Sequence, residues 1–254
     1  MTNVPRCRSR GRSGQRPSDD ALADWIRYVE QALHRPTFTV RPKYAKDFEV
    51  LYGVILQSAR YGMAFLQLRE AGLHREAEAL ARAAMEHAIT AHWVFFTEGG
   101  RDRFVVAINA DFRRYYEVMA EWLEDSALQK KVEEISEYPG RGMPRFTQIM
   151  NDFGGSFLTT AYRSLSLSVH PTHNTVLKYL EHSDGGVEVR TEARDANSFP
   201  ALYLTAISSM LALSLVEFMI DPSRAEELLD DASERLRLPI FIHAELPEGK
   251  RRAI

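Results

Sequence analysis

An arginine and a histidine stand seven residues apart in the stretch from Tyr162 to Pro171. Arg163 is a permanent cation, and its planar guanidinium can hold a phosphate through two parallel hydrogen bonds. His170 carries an imidazole, the group that most readily moves a proton near neutral pH. When RNA is cleaved by its own 2′-hydroxyl, an imidazole can move the proton while a guanidinium neutralises the phosphorane. The pair therefore predicts phosphate binding or phosphodiester cleavage.

The predicted helix 157–169 would place both side chains on one face. Seven helical residues make nearly two turns, so Arg163 and His170 would lie about 10 Å apart along the axis. Pro171 disfavours helical geometry at the residue before it, which places the imidazole at a helix C-terminus. The alternative is a structural role, in which His170 caps carbonyl groups and Arg163 pairs with an acid.

Two further charged residues, Arg82 and Glu86, lie four apart on another predicted helix and can therefore touch. A buried charge without a partner is costly, so each would need one. Glu86 could orient His170 or Arg163, because a carboxylate fixes the tautomer of an imidazole. We assign both residues a supporting role; the alternative is a structural pair within the helix.

No metal or cofactor site is expected. His173 follows His170 by three residues across Pro171, which is not the i,i+4 pairing of helical metal ligands, and we count it as a supporting residue. No glycine-rich loop fits a nucleotide fingerprint. The one cysteine, Cys7, allows no intrachain disulfide, which suits a reducing cytosol. With no apolar secretory segment at the start, these features predict a cytoplasmic location.

Charge is unevenly distributed along the chain. Residues 1–17 contain five arginines and no acid, so the other residues carry a formal charge of −8 against the total of −3. The composition of this basic segment predicts a disordered tail. A body so acidic excludes a general basic-patch nucleic-acid binder and gives no DNA-specific signal, so any RNA contact must be local.

Hydrophobic periodicity predicts an all-α protein, a single-domain helical bundle with at most one small hairpin. Apolar residues recur at helical spacing between turn and cap signals over most of residues 18–240. A Val-Glu-Val-Arg-Thr alternation after Gly186 is the sole strand signal. Residues 241–254 are assigned to a C-terminal tail. Predicted helices span 18–34, 43–71, 74–98, 101–125, 128–136, 146–153, 157–169, 172–180, 199–219 and 222–236.

Two apolar stretches have alternative interpretations. Residues 199–216 carry no charge and approach the length of a membrane span, but their serines, Pro200 and acidic flanks favour a buried helix over a membrane segment. Phe112, Tyr115, Tyr116 and Trp122 stand at helical spacing, which favours a place in the core; stacking on nucleic-acid bases is the alternative.

The sequence also resembles known families. The resemblance rests on Ala81–Ile89 with Trp93, and on the stretch from Tyr162 to Pro171, and it covers roughly residues 45–220. These residues resemble an uncharacterised bacterial family, domain of unknown function 5677. The arginine and the histidine near a helix end, with six residues between them, are similar to the signature of the HEPN superfamily, in which four to six residues separate the two.

The HEPN resemblance implies a homodimer in which two Arg/His pairs meet in a cleft and cut RNA without a metal ion. Arg163 would hold the phosphate and His170 would act as acid and base. Many such proteins carry Asn, Asp or His directly after the arginine; here Ser164 occupies that position, and many relatives are non-catalytic.

We therefore expect an RNA-binding protein or a metal-independent endoribonuclease. The alternative is a non-catalytic helical binding or interaction module. In that module Arg82, Glu86, Arg163 and His170 would form a structural polar network.

Overall fold

The computed structural model describes residues 16–135, 137–170, 179–183, 186–189, 198–221 and 225–254. Helices dominate these ranges, which confirms the all-α prediction. The strands β1 (Leu180–Ser183) and β2 (Gly186–Val189) form one antiparallel hairpin. The helices are α1 (Asp19–Leu33), α2 (Ala45–Glu70), α3 (His74–Phe96), α4 (Gly100–Leu123), α5 (Ser126–Glu134), α6 (Phe146–Asp152), α7 (Ser156–Val169), α8 (Ser198–Met219) and α9 (Glu226–Leu236).

The ends of the first helices follow from local chemistry. The Ser18 hydroxyl accepts a hydrogen bond from the Ala21 amide at 3.2 Å, and this caps the start of α1. Gly72, with φ of +80°, lets the chain reverse between α2 and α3 in a left-handed conformation that a side chain would oppose. The resulting antiparallel pair of long helices, α2 and α3, is the scaffold on which the other helices pack.

The core lies where α2 and α3 meet α1 and α8. Nearly every side chain of α8 is buried, because its apolar residues cover all faces of the helix. Its buried hydroxyls remain satisfied: those of Thr205, Ser208 and Ser209 donate to backbone carbonyls four residues earlier. Among the described residues, α8 is long and apolar enough to cross a membrane, and 83% of its most apolar window is buried inside the protein. Core helices of soluble proteins share that length and composition.

Residues 241–254, assigned from the sequence to a tail, pack on the helices. Leu246 is fully buried, and the Phe241 ring lies 5.7 Å from that of Phe96. The Arg252 amide donates to the Phe96 carbonyl at 2.8 Å, and its guanidinium binds the buried carboxylate of Asp47. The segment therefore closes over α2 and α3 through contacts that are distant in sequence.

The predicted core position of the α4 aromatic residues is wrong for most of them. Phe112, Tyr115 and Trp122 are exposed, and Tyr116 is half-buried. The helix α4 packs on α3 and α5, yet these side chains of its second half stay in water for much of their surface. Helical spacing revealed an apolar face but could not reveal whether anything covers it.

Two sequence predictions concern segments that lie largely outside the described residues. Of the predicted tail 1–17, residues 1–15 lie outside the described residues, while Arg16 pairs with Asp19 at 3.2 Å and lies over the Phe199 ring. The predicted helix 172–180 lies outside them too, apart from its last two residues. The second of these, Leu180, begins β1 rather than ending a helix.

Candidate functional site

The site lies between α3 and α7, which run in opposite directions. In the first half of α3, Arg82 contacts Tyr162 in the middle of α7 and His170 directly after the last residue of α7. Near the end of α3, the Trp93 indole donates to Asp152, just before α7 begins. These contacts place the predicted Arg82 and His170 at one end of the α3–α7 contact.

Arg82 is the centre of a polar cluster. Its Nε donates to Glu86 Oε1 at 2.9 Å, one helical turn further along α3. One terminal nitrogen donates to the Tyr162 hydroxyl at 2.6 Å, and the guanidinium carbon lies 4.7 Å from the centre of that ring. The other terminal nitrogen lies 3.4 Å from His170 Nε2. Arg82, Glu86, Tyr162 and His170 are called the Arg82 cluster below.

His170 stands where α7 ends. Its backbone is extended, with φ of −99° and ψ of 146°, as expected for the residue before Pro171. Its amide still donates to the Ser166 carbonyl at 3.2 Å, so the residue remains attached to the last turn. A guanidinium can only donate, so in this contact the Nε2 atom that faces Arg82 can serve only as the acceptor. The side chain is exposed.

Tyr162 fixes Arg82 to α7. Burial raises the pKa of the Tyr162 phenol, and the neighbouring Glu86 carboxylate raises it further, while the Arg82 guanidinium acts in the opposite direction. The phenol therefore stays protonated at neutral pH and serves as a neutral partner of the ion pair. The sequence pattern assigns no role to Tyr162, although the residue lies directly before Arg163.

The structure does not bring Arg163 into the cluster. Its side chain is exposed and contacts neither Arg82, Glu86 nor His170 within the described ranges. The seven-residue helical spacing does not extend to His170, because that residue leaves the helix and its ring meets α3. Ser164 is half-buried on α7. The predicted supporting residue His173 lies outside the described residues.

Residues 48–187 match a family of unknown function, DUF5677. The chain belongs to this family. The match contains the whole Arg82 cluster, all of α3 and all but the first three residues of α2, so the cluster is part of the DUF5677 region rather than of a flanking segment. No curated protein and no solved structure matches the chain.

Two further exposed arginines of the DUF5677 region lie in the loop before α6. Arg145 directly precedes Phe146, whose ring packs 5.1 Å from that of Tyr162. Arg141 lies near Arg103, and burial together with this second guanidinium lowers the pKa of Arg103. Within the part of the chain that the structure describes, Arg141, Arg145 and Arg163 have no acidic partner.

Acidic partners are distributed unevenly among the arginines of the described ranges. Several other arginines in the described ranges pair with carboxylates, for example Arg27 with Glu70 and Arg69 with Asp19. Because Arg145 and Arg163 pair with no acid among the described residues, the surface around Tyr162 is locally favourable to an anion. No group of three metal-ligating side chains occurs among the described residues.

Proposed function

We propose that this protein binds RNA at the Arg82 cluster and cleaves it without a metal ion, as a HEPN-like cytoplasmic ribonuclease. The observation that carries the proposal is the exposed His170 imidazole, whose Nε2 lies 3.4 Å from a guanidinium nitrogen of Arg82. This arrangement combines a proton acceptor with a phosphate-binding cation at one place on the surface.

The phosphate would be held by arginine side chains. Arg163 is exposed on α7 directly after Tyr162, and Arg145 directly precedes Phe146, whose ring packs on that of Tyr162, so each arginine is next in sequence to a residue at the cluster. Within the described ranges, neither arginine pairs with a carboxylate that a phosphate would have to displace. The acidic remainder of the protein repels RNA elsewhere, which favours binding at this one place.

The proposed chemistry uses the substrate's own 2′-hydroxyl. His170 Nε2 accepts the hydroxyl proton while the 2′-oxygen bonds to phosphorus and the bond to the 5′-oxygen breaks. The leaving 5′-oxygen takes up a proton from water, and His170 returns its own proton to solvent, which gives a 2′,3′-cyclic phosphate and a 5′-hydroxyl. The contact of 3.4 Å between Nε2 and Arg82 is long for a hydrogen bond, so the lone pair can turn to a closer donor.

A non-catalytic interaction module is the second candidate, and one observation favours it. The Arg82 guanidinium already donates to Glu86 and Tyr162, so it offers few free donors to a ligand. In that case the cluster would join α3 to α7 as a structural network. Removing a member would then lower stability and leave RNA affinity unchanged.

The experiment is the affinity for a short single-stranded RNA, measured by fluorescence anisotropy at several salt concentrations. We expect Arg163→Gln to weaken binding and to lower the salt-dependence exponent by about 1, because one phosphate contact is lost. Arg163→Lys should restore the salt dependence but not the affinity, because an ammonium cannot form the two parallel hydrogen bonds.

A matched control comes from a second arginine–histidine contact, between α2 and the end of α1. Arg60 also places a guanidinium nitrogen near an imidazole, 3.2 Å from His34 Nε2. His34→Ala should leave RNA affinity unchanged, whereas His170→Ala should reduce it. A wild-type protein without RNA affinity at low salt, or equal effects of the two substitutions, would support the interaction module instead.

A further inference from the structure

The second half of α4 presents an exposed apolar face, which is called the stripe below. Phe112, Tyr115 and Trp122 are 55%, 58% and 76% exposed, and Val118 and Leu123 are also exposed. Their spacing of three or four residues places them on one side of the helix. The three aromatic side chains alone expose roughly 300–450 Å², as judged from the 150–250 Å² that such a side chain can bury. A monomer rarely leaves so large an apolar patch in water.

The neighbouring side of α4 is occupied by α5. Ala120 is buried there, and Lys131 of α5 lies 5.5 Å from the centre of the Tyr116 ring. Arg113 is bound by Glu117 and Glu137 on the same side. The helix α5 therefore covers one side of α4, and the side that carries the aromatic residues stays exposed.

We infer that this face pairs with the same face of a second copy of the chain, the two α4 helices running antiparallel about a two-fold axis. The exposed aromatic area is about half of the roughly 800 Å² per partner that a stable interface buries, and the rest would come from the edges of the stripe. A two-fold contact joins a surface to itself, so the apolar face of one copy covers that of the other.

Charges at the edge of the stripe select the antiparallel arrangement. Arg114 and Glu121 lie on the side of α4 away from α5, both exposed, and neither has an ion-pair partner within the described ranges. They stand seven residues apart, about 10 Å along the axis. An antiparallel two-fold centred between them brings Arg114 of each copy opposite Glu121 of the other, so two ion pairs form. This pairing does not depend on RNA binding.

The test is the molar mass of the full chain in solution, measured by light scattering across a range of protein concentrations. We expect twice the chain mass of 29.0 kDa for the wild type. Trp122→Glu should raise the dissociation constant about 100-fold, because it replaces a large aromatic contact by a carboxylate that faces an apolar surface. Leu73→Glu changes an exposed apolar residue outside the stripe and should leave the dimer intact.

A charge exchange tests the arrangement itself. Arg114→Glu and Glu121→Arg should each weaken the dimer, because each places like charges opposite one another, and the double substitution should restore it. A wild type that is monomeric at high micromolar concentration would overturn the inference. A Trp122→Glu dimer as strong as the wild type, or a double variant that is weaker than both single variants, would do the same.

Discussion

The buried carboxylate of Asp47 should be a main source of stability for the packed C-terminal segment. Arg252 binds it with two parallel contacts of 3.1 Å, one to each carboxylate oxygen, and Arg101 approaches one oxygen at 3.4 Å. The Asp47 side chain is 1% exposed, whereas the two arginines keep 26% and 32% of their surface in water. The contacts join α2 to the start of α4 and to the last residues of the chain.

Replacing Asp47 by Asn keeps the shape and removes the charge. Removing one partner of a buried ion pair costs about 3–5 kcal/mol, because the remaining charge is left without compensation. Here the arginines can regain water, so we expect the lower end, about 3 kcal/mol. For a chain of this size that loss lowers the melting temperature by roughly 6–12 °C.

Asp102→Asn is the matched control, because it removes a second carboxylate from the same Arg101. Asp102 is 77% exposed and lies 3.5 Å from that guanidinium, so its loss should cost less than about 1 kcal/mol. Urea unfolding at an unchanged m-value measures both free energies. Equal destabilisation by the two substitutions, or a larger effect of Asp102→Asn, would refute the role assigned to Asp47.

The remaining predictions concern one buried histidine and two glycines. Burial lowers the pKa of His92 from its usual 6.5 to about 4 in the folded protein. As the pH falls, the unfolded chain therefore binds a proton at this histidine before the folded protein does. The contribution of His92 to stability should be complete above pH 6.5 and should fall by about 3 kcal/mol as the pH drops toward 4. His92→Gln can still donate to the Leu211 carbonyl and should flatten this decline in acid unfolding curves. Gly53→Ala should stabilise the protein by about 0.5–1 kcal/mol in thermal melts, because its Cβ would meet no atom. Gly100→Ala should destabilise it, since its Cβ would lie 2.4 Å from the Val94 carbonyl oxygen.

The helices could be predicted from the sequence because their signals are local. The predicted ends of α1 and α7, for example, differ from the observed ones by about one residue. Gly72 marked the turn between α2 and α3 for a reason that acts within a few residues, its positive φ. The exposed face of α4 could not be predicted, since spacing along one helix says nothing about which other helices reach it.

The site was predictable only in part for the same reason. The pairing of Arg82 with Glu86 follows from their separation of four residues on one helix. The contacts of Arg82 with Tyr162 and His170 join residues 80 and 88 positions apart, so they depend on how α3 and α7 pack. The separation of Arg163 from the cluster likewise depends on the exact residue at which α7 ends. The packing of residues 241–254 rests on equally distant partners, such as Asp47 and Arg252.

The most direct test of the proposed function is the product formed from a single-stranded RNA in the presence of EDTA. We expect the wild-type protein and His34→Ala to release fragments with 2′,3′-cyclic phosphate and 5′-hydroxyl ends, and His170→Ala to release none while remaining folded. A substrate with one 2′-deoxy nucleotide should resist cleavage at that position, because the attacking hydroxyl is absent. Intact RNA with the wild type, or unchanged cleavage by a folded His170→Ala variant, would contradict the assignment of His170 as the group that moves the proton.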